Sequence, residues 1–130
     1  MKPIVPLALG LFLAAAPAFA GDPVVGTWKT QPDDNGHFGL VAIAPCGDRI
    51  CGKLTRAFGE KGKPVASDTV GRQIVWNMRP EGAGKYEGGR IWAPDRDKTY
   101  NGRMELSGAR LKVSGCVLGL CRGQTWTRAN

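Results

Sequence analysis

The 130-residue sequence carries 18 lysines and arginines against 11 acidic residues, a formal charge of +7, with 42% hydrophobic and 22% charged residues. That length leaves room for one small core and excludes a multidomain chain. The positive balance suits acidic lipid headgroups, anionic wall polymers or nucleic acid, but no basic residue adjoins another and the densest group is only Arg49, Lys53, Arg56, Lys61 and Lys63; a generally solvated basic surface is expected, and no nucleic-acid partner.

The first twenty residues differ from the rest. Met1-Lys2 gives a positive start, Ile4 to Ala16 is apolar apart from Pro6 and Gly10, and Ala18-Phe19-Ala20 is a small-x-small site. This is the plan of a secretory signal peptide over residues 1–20, with cleavage predicted between Ala20 and Gly21. The apolar run is short for a bilayer, so no membrane span is expected. The first cysteine, Cys46, is far from the cleavage site, which argues against a lipid-modified terminus. Residues 21–130 lose only Lys2 from the charge count and keep a formal +6. They are expected to form a single domain in the periplasm or outside the cell.

Beyond Gly21 alternation dominates and long helical periods are missing. Strands are predicted at Val24–Thr30, Phe38–Ala44 and Arg49–Arg56, joined by turn residues at Asp33-Asp34-Asn35-Gly36 and Cys46-Gly47-Asp48. Ala57–Thr69 has no clear period and reads as a longer loop. Gln73–Met78 reads as a strand or as one helical turn. Pro80-Glu81-Gly82-Ala83-Gly84 is a turn before the strand Lys85–Ala93, in which Gly88-Gly89 suggests a bulge or a strong bend. After Pro94-Asp95, the segment Tyr100–Leu106 places Tyr100, Met104 and Leu106 on one face. Ser107-Gly108 turns the chain, and Arg110–Val117 places Leu111, Val113 and Val117 on the same side. The last strand is Arg122–Arg128. About eight short strands with frequent turns indicate an all-β sandwich or barrel.

The four cysteines form two C-x4-C pairs, Cys46/Cys51 and Cys116/Cys121. An even count in an exported chain reads as two disulfides. The spacing is loose for structural zinc, and no metal site is expected. Alternation puts both members of each pair outward across a tight turn, which favours local bridges, although four cysteines allow three pairings.

Gly26-Thr27-Trp28 opens the first strand and Trp126-Thr127-Arg128 ends the last. In a closed up-and-down barrel these strands meet, and the Arg128 guanidinium can stack on the Trp28 indole. Here the chain resembles the lipocalins and their calycin relatives, which use Gly-x-Trp on the first strand and an Arg near the last; Gly26, Trp28 and Arg128 are the matching positions. More narrowly it resembles an uncharacterised exported bacterial family, domain of unknown function 2147. The matching segments include Gly47-Asp48-Arg49-Ile50-Cys51-Gly52-Lys53-Leu54, Gly88-Gly89-Arg90-Ile91-Trp92-Ala93-Pro94-Asp95, Lys98-Thr99-Tyr100, Leu111-Lys112-Val113, Gly115-Cys116-Val117 and Gln124-Thr125-Trp126-Thr127-Arg128. The resemblance implies a small antiparallel lipocalin-like barrel and no particular activity.

Catalysis has little support in the residues. His37, the one histidine, sits in a turn with no nucleophile beside it, and Asp95 and Asp97 flank a turn where Asp serves its own backbone. No enzyme activity and no cofactor are expected. Binding has more to work with. Trp76, Trp92, Tyr100, Trp126 and Met104 are candidates to line a cavity, with Arg122 and Gln124 near one mouth. The expected ligand site is therefore Arg122, Gln124, Tyr100, Trp92 and Trp76, for a small amphipathic or anionic molecule whose carboxylate or phosphate a guanidinium would hold. The alternative is a protein-binding module, an inhibitor or envelope-associated partner, that uses loops such as Ala57–Thr69 and has a filled barrel. A sealed interior with an exposed apolar loop would favour that second reading.

Overall fold

The computed structural model describes residues 21–130, so the predicted signal peptide and its cleavage site lie outside the described residues. Nine strands follow one another: β1 Gly26–Lys29, β2 Phe38–Cys46, β3 Arg49–Phe58, β4 Pro64–Val65, β5 Gln73–Gly82, β6 Lys85–Ala93, β7 Lys98–Ser107, β8 Arg110–Val117 and β9 Leu120–Arg128. All neighbours pair antiparallel. β2 pairs with both β1 and β3, and β1 pairs with β9, so eight strands close on themselves and β4 is a two-residue addition to β3. Closure removes the exposed strand edges on which aggregation starts.

Three segments depart from the sequence reading. Gln73–Met78 is strand, and it runs on to Gly82 through Pro80, leaving Ala83-Gly84 as the turn. Proline is tolerated there because the ladder between β3 and β5 ends at Ile50↔Met78, so Pro80 needs no donor on that side. Ala57 and Phe58 continue β3, with the Phe58 ring stacked 4.8 Å from that of Phe38. The loop after them holds a short 3-10 turn, Glu60–Gly62, before β4 folds back. Val117 is 48% exposed instead of inward. The ladder between β7 and β8 stops at Asn101↔Cys116, so the Val117↔Leu120 rung projects past the wall.

The lower end of the barrel carries the turns at 47–48, 83–84 and 108–109 and the chain termini of the described region. The upper end carries the connections 30–37, 59–72, 94–97 and 118–119. The lower end is shut by residues 22–25. Val24 is fully buried and its carbonyl accepts the Trp28 indole N–H at 2.9 Å. The Arg128 guanidinium lies 4.3 Å from the Trp28 ring centroid and donates to the carbonyls of Val25 and Pro23. A side chain on Gly26 would strike that guanidinium, with Nη1 only 2.8 Å from a Cβ placed there. Disulfides Cys46–Cys51 and Cys116–Cys121 pin the tips of one lower and one upper hairpin.

Tyr86 completes the lower closure by donating its hydroxyl to the Asp22 carboxylate. Burial first, and the Asp22 carboxylate second, push the phenol well above its ordinary range. The folded chain therefore keeps a proton that the unfolded chain releases near pH 10. This stabilisation is whole below about pH 10 and falls progressively as pH rises from there towards the folded value. Urea midpoints should drop above about pH 10 in the parent protein and drop less steeply in Tyr86→Phe. Parallel alkaline limbs for the two would overturn this assignment.

Candidate functional site

A filled interior decides where a site can lie. Trp28, Trp126, Tyr86, Met78, Met104 and Leu111 are all buried to 3% exposure or less. A Cβ on Gly52 would stand 2.9 Å from both Val41 Cγ1 and Val75 Cγ2, closer than real Cβ atoms approach. Two clefts among the described residues, about 270 and 220 Å³, open on the outer wall of β6–β8; Gly88, Arg90 and Asn101 line the first, and Lys85, Glu105 and Lys112 the second. The aromatic side chains expected to line a cavity instead pack as core or leave the wall.

Strand register divides the five expected ligand residues between two faces. Ile91 pairs with Tyr100 and with Val75, all on inward rungs. Trp92, one residue on, pairs with exposed Thr99, and Trp76 pairs with exposed Arg90. Side chains alternate across a strand, so Trp76 and Trp92 belong to the outer face and Tyr100 to the inner one. The cause is a pair of bulges. Asn77 takes a positive φ of 60° in β5, and Gly88 takes 74° in β6 where the pairing with β7 skips from Tyr86 to Gly89. Each bulge re-phases the alternation beyond it. Despite that phase Trp92 is 5% exposed and packs within the hydrophobic core cluster, with the Arg72 guanidinium 3.6 Å from its ring centroid and its N–H donated to Asp97 Oδ1 at 2.9 Å.

Register puts the other three residues on the inner face at the upper mouth. From the core outward, β9 presents Trp126, Gln124 and Arg122 on rungs with Leu111, Val113 and Gly115. Trp126 is buried, and its N–H is capped by Gln124 Oε1 at 2.6 Å. That leaves the Gln124 amide N–H groups available as donors. Gly115 lets the Tyr100 ring lie over it, since a Cβ there would be 3.4 Å from the ring's Cγ, and Arg122 flanks the same glycine. Arg122 and Gln124 are exposed and Tyr100 half-buried. The Tyr100 hydroxyl, chief among the influences on Arg96 in the 94–97 turn, pushes that guanidinium's pKa further up. Neither Arg96 nor Arg122 has a carboxylate within ion-pair distance among the described residues; the pairs present are Arg49–Asp48 and Arg79–Glu81. The mouth presents Arg122, Gln124 and Tyr100 above the buried Trp126. It can hold a carboxylate or phosphate by charge-assisted hydrogen bonds.

Sequence reading missed Arg72 and Arg96, and expected Asp97 to serve its own backbone where it instead accepts from the Trp92 indole, because all three sit in connections whose folding back no periodicity records. It missed Asp22 and Tyr86 because a lower plug is a long-range contact. His37 is exposed. Its backbone N–H bonds Asp33 Oδ1 at 2.9 Å, and that bond leads the causes holding the Asp33 carboxyl below its ordinary range.

Comparison with known proteins agrees with this architecture. Residues 26–128 match the family described as "Uncharacterized protein conserved in bacteria (DUF2147)", and the chain belongs to that family. Among solved structures it is similar to protein HP1028 of the human pathogen Helicobacter pylori, described as belonging to the lipocalin family. The TM-score is 0.67 at 15% identity, over 82% of this chain and 83% of that one. This likeness shows a lipocalin-like fold. No curated protein matches the sequence.

Proposed function

We propose that this is an exported binding protein that takes the acidic group of a small amphipathic molecule at its upper mouth, on Arg122, Gln124 and Tyr100. The observation that carries the reading is Arg122, an inward-rung guanidinium above a filled core with no carboxylate partner among the described residues. A lipocalin-like barrel is compatible with small-ligand binding, and two disulfides suit an exported chain. With the interior packed, the tail of the proposed ligand would lie along the rim instead of down the barrel axis.

Titration with monomeric lauric acid, followed by tryptophan fluorescence, tests it. Saturable binding is expected, weakened about tenfold or more by Arg122→Ala and unaffected by Arg49→Ala at the lower end. No binding by the parent protein, or equal binding by Arg122→Ala, would retire the mouth as a ligand site. The filled interior favours a second reading, an envelope-associated protein-binding module, which would then lead.

A further inference from the structure

The hairpin joining β8 and β9 breaks two rules at once. Its two central residues, Leu118 and Gly119, have φ of 51° and 83°. A two-residue hairpin turn of this kind favours Asn-Gly or Gly-Gly, because a left-handed backbone strains residues with larger side chains. Here a leucine occupies the first position, and it is 97% exposed. Beside it Leu120 is 78% and Val117 48% exposed. Folding gains nothing from Leu118, which touches no core and strains its own turn. The Cys116–Cys121 disulfide directly beneath holds this apolar tip in one shape.

We infer that the upper end docks on an anionic phospholipid surface, with the Val117-Leu118-Gly119-Leu120 tip entering the headgroup region. Charge points to that occupant. The β8–β9 hairpin that bears the tip holds no acidic residue, Arg122 directly follows its disulfide, and residues 21–130 carry a formal +6; Arg110 and Arg128 lie at the opposite, lower end, and at the upper end Asp95 and Asp97 offset Arg96 and Lys98. Shape and area agree. The tip is convex, and three side chains offer a few hundred Å² at most, well short of the roughly 1,000 Å² a specific protein interface needs. A bilayer requires no matching concavity, and apolar insertion combined with basic attraction is how peripheral proteins hold it. Docking would bring the proposed mouth against the membrane, yet it does not depend on the mouth binding anything.

The test is cosedimentation of residues 21–130 with unilamellar vesicles of phosphatidylcholine alone or mixed equally with phosphatidylglycerol. Binding to the mixed vesicles at low salt is expected, with little to the neutral ones. Leu118→Asn should weaken it about tenfold while holding or raising thermal stability, since Asn suits the left-handed position. A stable variant that no longer docks separates docking from folding. Failure of the parent protein to bind mixed vesicles, equal binding to both vesicle types, or undiminished binding by Leu118→Asn would overturn the inference. So would concentration-dependent dimerisation lost in Leu118→Asn, which would assign the tip to a second copy of the chain. Lauric acid titration of the same preparations keeps the two proposals apart. Loss of lauric acid binding in Arg122→Ala with retention in Leu118→Asn supports the mouth, whatever the vesicles show.

Discussion

Trp28→Ala is expected to destabilise the barrel by about 3–5 kcal/mol, the range for truncating a large buried aromatic. Its site has little means of collapsing. Trp28 is fully buried, its N–H is bonded to the Val24 carbonyl, and its ring lies under Arg128 at the seam between β1 and β9. That seam is short, only Trp28↔Arg128 and Lys29↔Thr127, so side chains there do much of the joining. Truncation leaves a cavity, removes the roof contact of Arg128 and frees the Val24 carbonyl in one step. Arg128→Ala should cost less, because its guanidinium is partly exposed, but it too releases the carbonyls of Val25 and Pro23. Equilibrium urea unfolding of both single variants and the double variant gives the coupling, expected at about 1 kcal/mol for a stacked guanidinium and indole. Additive effects would remove the cation over the ring as a source of closure.

Closure was legible in the sequence because it joins two short local signals, Gly26-Thr27-Trp28 and Trp126-Thr127-Arg128. Most strands were legible for a related reason: period-two alternation in Tyr100–Leu106 or Arg110–Val117 is a local property and survives folding unchanged. The same alternation favoured the local disulfides, because it puts Cys116 and Cys121 on one outward face across a turn, but it did not decide among the three pairings. The ligand site did not follow, because facing depends on phase, and phase is reset at bulges. Gly88-Gly89 was readable as a bulge, but Asn77 was not, and together they send Trp76 and Trp92 outward while Tyr100 stays inward. Whether the barrel is hollow was illegible too. It depends on how closely Met78 and Ile91 approach the inward glycines of neighbouring strands, a distance with no trace in a single strand's pattern.

The bulge gives the second large expected effect. Gly89→Ala should destabilise by about 2–3 kcal/mol, towards the upper end of the usual range for overpacking. Gly89 does not have a positive φ, so backbone conformation is no obstacle to alanine; space is. A Cβ there would lie 2.5 Å from Met78 Sδ and 2.7 Å from the Trp76 carbonyl oxygen. The methionine is flexible and can retreat, whereas the carbonyl belongs to the strand that Trp76↔Arg90 holds in register. Shortening the neighbour should therefore rescue little: Gly89→Ala with Met78→Val should remain destabilised relative to Met78→Val alone by more than about 1 kcal/mol. Full rescue would show that side-chain crowding, and not the strand backbone, sets the limit. Because the same carbonyl adjoins the step that turns Trp76 outward, relief by strand movement should also shift the tryptophan near-ultraviolet circular dichroism of Gly89→Ala. An unchanged spectrum together with parent stability would mean that the wall between β5 and β6 is looser than its packing implies, and that the interior has room to open.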